Sequence, residues 1–430
     1  MRTLLVRIGI VALASATAIA CSDEHKDLLS PRAPDKMILP PGGGIIIQKP
    51  RLNPDDFVEI TAGDYHTCAR KNNGNVYCWG EAGGGPIVQV ATLTWTGAKQ
   101  IDAGAGHTCG LDASNHAFCW GAGNQGQLGV ASGQYITYNG VQAVTGPVDP
   151  NNPYGAPLPA LVFSSISAGG NSTCGTTSGG VFCWGELGNL PNLSTPIAAP
   201  TLTSTYNGMT GLTLGSQHAC GYLSWATLAY CWGQNNYGQA GVDAASMQWW
   251  AYPNTTIVQF AASNGLGSAV ARISAGGNFT CGEQLAGTVQ CFGYNFDGEL
   301  GNGQSGWGLF TTVPQTVGNG QALRGVSVGE RHACALDGNG QAWCWGWGLY
   351  GQLGQGSSVN VAATPQQVTG GHAFRAIAAG YRHTCAIGTD NHIYCWGQNN
   401  YRQLGTYIFA NGQVVTNGYS PNPVQADDPK

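Results

Sequence analysis

Fourteen of the fifteen cysteines in this 430-residue chain fall into seven pairs: Cys68 with Cys78, Cys109 with Cys119, Cys174 with Cys183, Cys220 with Cys231, Cys281 with Cys291, Cys334 with Cys344, and Cys385 with Cys395. Five pairs enclose nine residues, one eight and one ten. A turn-forming segment such as Asp337-Gly338-Asn339-Gly340 sits between the two members, and an aromatic-Gly pair follows the second. Two strands joined by a short Gly/Asn/Asp turn form an antiparallel hairpin. Cysteines equidistant from that turn face each other near disulfide reach, so one hairpin disulfide per unit is expected. Each small closed loop is worth roughly 2–3 kcal/mol in the chain-entropy model. Zinc is the rival use of paired cysteines, but structural zinc sites use close Cys-x-x-Cys knuckles, and the sequence has none. The aromatic after the second cysteine lies on the opposite face of the strand, where it is expected to pack against the next unit.

The pairs mark a larger repeat. Each unit opens on a short apolar strand ending in Ala-Gly or similar, as in Ile101-Asp102-Ala103-Gly104, Ile273-Ser274-Ala275-Gly276 and Ile377-Ala378-Ala379-Gly380. After the aromatic-Gly comes a turn of the type Gly123-Asn124-Gln125-Gly126-Gln127-Leu128-Gly129, seen again at Tyr350-Gly351-Gln352-Leu353-Gly354 and Gln398–Gly405. A Pro-x-x-Val strand follows, as in Pro314–Val317 and Pro365–Val368. Repeats of roughly 40–65 residues indicate a solenoid, a propeller or an array. The composition agrees: 67 glycines and only 9% charged residues suit many short strands joined by tight turns.

The order Gly-x-x-His-Thr/Ala-Cys, turn, Trp-Gly-x-Asn-x-x-Gly-Gln-Leu-Gly resembles the repeat of the regulator of chromosome condensation family, over residues 57–426. The resemblance implies an all-β, seven-bladed β-propeller with four-stranded blades. Units one and three depart from the pattern, lacking or shortening Gln-Leu-Gly, and unit five has Phe292 in place of Trp. The paired cysteines are not a general rule of that family and suit an oxidising space. The first unit lacks a Pro-x-x-Val strand, and Pro421–Gln425 supplies one with no unit to follow. The C-terminal strand is therefore expected to complete the first blade and close the ring, with Ile45-Ile46-Ile47 as the competing strand.

The chain reads as three parts: a signal peptide at 1–20, a lipidated cysteine and Pro/Gly-rich tether at 21–55, and the seven-repeat propeller at 56–430. Arg2 and Arg7 precede the apolar run 8–20, which ends in small residues before Cys21. That arrangement resembles the lipobox of bacterial lipoproteins, which implies lipidation at Cys21, the cysteine without a pair. An ordinary cleaved signal peptide is the alternative. The expected location is the bacterial cell envelope outside the cytoplasm, lipid-anchored, or else secreted.

His66, His107, His218, His332 and His383 each stand two before the first cysteine, with Ser172 and Phe279 in the other two units. Equivalent positions on different blades are too far apart to share an ion, so these residues are assigned to structural hydrogen bonding. The sequence holds no paired carboxylates at a recognisable spacing, no nucleophile elbow and no phosphate loop. It is assigned no catalytic residue, cofactor or metal, and is not expected to be an enzyme. The net charge of −5, without a basic patch, argues against nucleic acid. Four Asn-x-Ser/Thr triplets, at Asn171, Asn192, Asn254 and Asn278, are short enough to occur by chance.

Binding is the expected role, carried by loops. The longest fall at 130–160 and 242–270, and the second contains Trp249, Trp250 and Tyr252, residue types favoured at interaction hot spots. Trp307, Leu309 and Phe310 form a lesser candidate. The partner is expected to be a protein or, alternatively, a surface glycan, engaged by a monomer. Secreted propellers of the same repeat family that inhibit β-lactamases are similar in plan. Repeated sugar pockets would require the aromatics to recur in every blade, and Trp249-Trp250 does not. Guanine-nucleotide exchange, the family's founding activity, needs a cytosolic or nuclear partner that a signal sequence and seven cysteine pairs disfavour.

Overall fold

The computed structural model describes residues 37–38, 46–47, 53–81, 88–130, 138–147, 159–186, 197–204, 208–223, 229–241, 250–251, 257–258, 270–285, 287–318, 320–357, 359–406 and 418–427. Seven antiparallel sheets form the blades of a propeller. Blade 1 runs Phe57–Ala62, His66–Lys71, Val76–Gly80, Val88–Trp95, and blade 7 runs Phe374–Ala379, His383–Gly388, Ile393–Gln398, Tyr419–Gln425. The five blades between them repeat the same order. First strands of successive blades are neighbours, which places them innermost. Blade 4 differs only at its outer edge: Trp250–Ala251 and Ile257–Val258 pair separately with its third strand.

All seven expected disulfides are present. Cys68 is bonded to Cys78, Cys109 to Cys119, Cys174 to Cys183 and Cys220 to Cys231. Cys281 is bonded to Cys291, Cys334 to Cys344 and Cys385 to Cys395. The two members of each pair stand directly opposite in the central hairpin, with Cα–Cα distances of 4.0–4.1 Å. Seven short hairpins thus carry their own covalent tie. The bridge and the aromatic do occupy opposite faces of the blade, but the ring packs against the preceding blade rather than the next. Trp184 Nε1 donates to the Gln127 carbonyl of blade 2, Trp345 to Glu299 of blade 5, Trp396 to Gln352 of blade 6 and Trp79 to Gln403 of blade 7, at 2.8–2.9 Å. Each acceptor lies in the Gly-Gln/Glu-Leu-Gly turn, in blade 7 with Arg402 (φ 68°) in place of the first Gly. The turn is tight because both glycines take left-handed backbone, Gly351 at φ 77° and Gly354 at φ 69°.

Two expectations about closure are overturned. Each blade takes all four strands from one continuous stretch of chain. The C-terminal strand Tyr419–Gln425 is the outer strand of blade 7, while Val88–Trp95 fills that place in blade 1. Ile46–Ile47 pairs with Met37–Ile38 in a separate two-stranded sheet, not with blade 1. The ring closes without a shared strand, by packing and hydrogen bonds between blades 7 and 1. Phe57, Ile60 and Trp79 share a core with Ile387, Leu404 and Val424, and Phe57 N donates to Asn391 Oδ1 at 2.9 Å.

Candidate functional site

Turns between first and second strands share one end of the molecule with the loops between third and fourth strands. Around the centre of that end the first set is stitched by backbone hydrogen bonds: Asp64 N to Ala105 O, Ala105 N to Gly170 O, Ser216 N to Gly276 O, Gly277 N to Gly329 O, Glu330 N to Gly380 O and Tyr381 N to Gly63 O, at 2.8–3.3 Å. Glycine permits this approach. At Gly104 a Cβ would lie 2.3 Å from His107 Cε1 and 3.0 Å from Gly170 O.

Beneath this belt lie the five histidines, all buried. Each Nε2 meets a threonine hydroxyl of the next blade at 2.7–2.9 Å: His66 with Thr108, His107 with Thr173, His218 with Thr280, His332 with Thr384 and His383 with Thr67. Thr67, Thr173, Thr280 and Thr384 donate onward to the Gln carbonyl of the preceding blade. Their hydroxyl protons being committed there, these threonines accept from Nε2–H, which fixes a proton on Nε2 and leaves the charge to be decided at Nδ1. Burial favours the neutral form: it pushes His66 down to about 4 and the other four to about 3. The histidines are parts of the fold, as the sequence indicates.

Residues flanking the repeat signature build the exposed side of this mouth. From blade 4 round to blade 1 they form an arc of rings and guanidinium groups. Tyr237 packs on Tyr294 with centroids 4.9 Å apart, Tyr294 on Phe296 at 6.3 Å, and Phe296 on Trp307 at 5.6 Å. Trp307 is 89% exposed. Arg331 lies 5.1 Å from the Trp347 ring, and Arg382 lies 5.4, 4.9 and 4.7 Å from Trp347, Tyr350 and Tyr381. Tyr65 continues the arc, 6.1 Å from Tyr381 and 4.4 Å from Tyr401. The corresponding turns of blades 2 and 3 carry Ala105-Gly106 and Gly170-Asn171 instead, so the mouth is lopsided.

Carboxylates sit inside the arc. Arg331 forms an ion pair with Asp297, and its Nε lies 4.0 Å from Glu299 Oε1. Burial and the neighbouring Asp297 push Glu299 up to about 8. Asp64 is pushed up to about 7 by burial and by Glu330, against the pull of Arg382. Glu330 is itself raised, chiefly by burial, and its Oε2 accepts from Ser216 Oγ at 2.8 Å. Guanidinium groups and rings at a mouth with few fixed charges suit recognition of a protein surface. Among the described residues no cluster of three or more His, Cys, Asp or Glu side chains is placed to hold a metal ion.

Of the binding residues picked from sequence, Trp249 and Tyr252 lie outside the described residues, and for Trp250 only the backbone is described, in the split outer strand of blade 4. Cys21 and the segment 1–36 also lie outside them. The two long loops contain strands: Tyr138–Ala143 is the outer strand of blade 2, and 250–251 and 257–258 serve blade 4. Trp307, Leu309 and Phe310 do fall on the arc's outer end, all exposed. Arg331, Arg382, Trp347, Tyr350 and Tyr381 were missed. Equivalent positions hold Tyr65 and Gln217 before the histidine, and Tyr237 and Tyr401 in the turn, so size alone does not set these residues apart.

The fold is a seven-bladed propeller, and models of the regulator of chromosome condensation (RCC1) repeat match the chain at 57–83, 98–127, 324–352, 339–387 and 374–403. Among curated proteins, the chain is similar to the ultraviolet-B receptor UVR8 of Arabidopsis thaliana, 30% identical over 252 residues, covering 56% of this chain and 54% of the receptor. It is 32% identical over 198 residues to the probable E3 ubiquitin-protein ligase HERC4 of Homo sapiens, covering 44% of this chain and 18% of that protein. The chain thus spans about half of one relative and a small part of the other. Among solved structures, Prp20p from Saccharomyces cerevisiae superimposes with a TM-score of 0.66 at 18% identity, covering 88% of this chain and 87% of that one. Human WBSCR16 gives 0.65 at 18% identity, with 81% and 90% covered. These likenesses show the shared fold.

Proposed function

We propose that this protein is an extracytoplasmic, lipid-anchored scaffold that binds a protein partner through the mouth described above. The observation that carries the reading is the Arg382 cluster, a guanidinium ringed by Trp347, Tyr350 and Tyr381 at a half-exposed rim. Arg, Trp and Tyr are the residues most enriched at interaction hot spots. The Prp20p structure is described with its binding to Gsp1p and histones, and such use of the fold supports a binding role here. Seven disulfides support an oxidising compartment, in keeping with the leader and Cys21.

A photo-crosslinking amino acid at Tyr350 in intact cells, with a control at Asn339 on the opposite end, tests the binding face. A single dominant protein adduct at Tyr350, lost in Trp347→Ala, is expected. Adducts only from Asn339, or only with polysaccharide, would move the site or favour the glycan alternative. The anchor is tested separately by fatty-acid labelling. Cys21→Ser is expected to abolish the label and release the protein from membranes.

A further inference from the structure

Arg331 and Arg382 hold the same position in successive blades, directly before the histidine. Their surroundings differ. The blade 5 turn offers Arg331 the carboxylates of Asp297 and Glu299. The blade 6 turn places Tyr350 and Gln352 at those two positions. Arg382 therefore meets phenol oxygens, donating from Nη1 to Tyr350 OH at 3.2 Å and from Nη2 to Tyr381 OH at 3.4 Å. Among the described residues no carboxylate is in ion-pair contact with it. Asp64 and Glu330 act on it only through space.

Two buried donors are left over. Arg382 Nε has no partner, and neither has Gln352 Nε2, on a side chain 0% exposed whose Oε1 is committed to the Tyr350 amide at 2.9 Å. Both residues border Gly397, where a Cβ would lie 2.5 Å from Arg382 O and 3.1 Å from Gln352 Cβ. Buried donors without acceptors are rare because each forfeits a hydrogen bond to water. Blade 5 shows within the same chain what completes the arginine: Asp297, at the position of Tyr350, gives Arg331 a carboxylate.

We infer that Arg382 and Gln352 receive a carboxylate from the partner protein, an Asp or Glu side chain on an exposed acidic segment. This rests on the mouth being a protein-binding face. The carboxylate accepts from the Arg382 guanidinium, beside which Gln352 holds a further uncommitted donor. The surrounding rings shield the pair from water, which strengthens charge-assisted bonds. A single negative charge suits the site better than a phosphate dianion, because Asp64, Glu330 and Asp297 border it. A protein suits it better than an acidic glycan, since the Trp347 ring already carries both guanidinium groups.

The test is selection of random short peptides by display on the full-length, oxidised protein. Selected peptides are expected to share an Asp or Glu at one position. Changing that residue to its amide, or Arg382→Gln in the protein, should weaken binding about thirty-fold, as loss of one partner of a desolvated charged pair does. Tyr350→Asp with Gln352→Glu, which copies blade 5, should quench binding while Arg382 remains. Lys99→Gln, at the opposite end of the molecule beside Asn115, should change it by no more than about twofold, a negligible free-energy difference. Peptides without a shared acid, or affinity indifferent to Arg382→Gln or to the double change, overturn the inference. A protein adduct at Tyr350 that needs no acidic residue in the partner would keep the scaffold and remove the carboxylate.

Discussion

Glu299 stands where four other blades place glutamine, at Gln127, Gln239, Gln352 and Gln403. Its Oε2 accepts the Asp297 amide at 2.8 Å, as each glutamine Oε1 accepts the amide two residues earlier. With its proton held up to about pH 8, the carboxyl imitates an amide. A carboxyl raised in the folded state contributes stability that is complete below its unfolded pKa and gone once pH passes the folded value. Glu299→Gln is therefore expected to be more stable than the parent at pH 8.5, by at least about 1 kcal/mol, with the gap closing toward pH 5. Urea unfolding at the two pH values measures it; an equal gap at both would refute the account. The histidine network was legible at this scale. The chain even records its absences: Ser172 and Phe279 replace histidine in blades 3 and 5, and the next blades carry Ala219 and Ala333 where others have threonine. The Arg382 cluster was not legible. Arg331 and Arg382 share a turn position that holds Tyr, Gly, Asn or Gln in the other units, and with Trp347 they stand apart in sequence until the ring brings them together.

At the scale of the element, the hairpin is the unit most fully specified by sequence. Turn chemistry, strand alternation and cysteine spacing agree, and all seven bridges form. Each bridge also belongs to the interface with the following blade: Cys334 Sγ lies 3.8 Å from Thr384 Oγ1, and Cys109 Sγ 3.4 Å from Thr173 Oγ1. Removing a bridge thus acts on the unfolded chain and on packing together. Cys334→Ala with Cys344→Ala is expected to cost roughly 2–4 kcal/mol, the usual range for a native disulfide, measured by urea unfolding without reductant. A loss far below that would mean the hairpin is held by its strand pairing alone. Outer strands were the least legible element. Pro-x-x-Val marks some, but Val88–Trp95 and the divided strand of blade 4 lack it, and the pattern has no substitute signal there.

For the whole molecule, periodicity gave the number of blades but not their phase, since shifting every blade boundary by one strand leaves the same repeat. Hence the misplaced C-terminal strand. The seam between blades 7 and 1 proves to be an ordinary interface, with the His383–Thr67 bond and the Gln403 carbonyl shared by Thr67 and Trp79. Because five of the seven interfaces bury a neutral histidine, ring stability is tied to pH. A histidine lowered in the folded state contributes stability that is complete above its unfolded pKa and lost as pH falls toward the folded value. Each of the five therefore removes about 1.4 kcal/mol per pH unit below about 6.5. The buried carboxyls Glu59, Asp64, Asp102, Glu299 and Glu330, all raised, oppose this above the ordinary carboxyl range, Asp64 up to about 7 and Glu299 up to about 8, because there the folded state holds protons that the unfolded chain lacks. Below the unfolded carboxyl range that opposition ends while the histidines, at about 3 to 4, remain neutral. The urea midpoint should accordingly fall less steeply from pH 6.5 to 5 than from pH 5 to 3. His332→Gln keeps a donor for Thr384 but cannot take up the proton, so it should reduce the acid slope by about one proton's worth. An unchanged slope would mean that His332 does not titrate between the folded and unfolded states, and would break the link between the buried ring of histidines and acid unfolding.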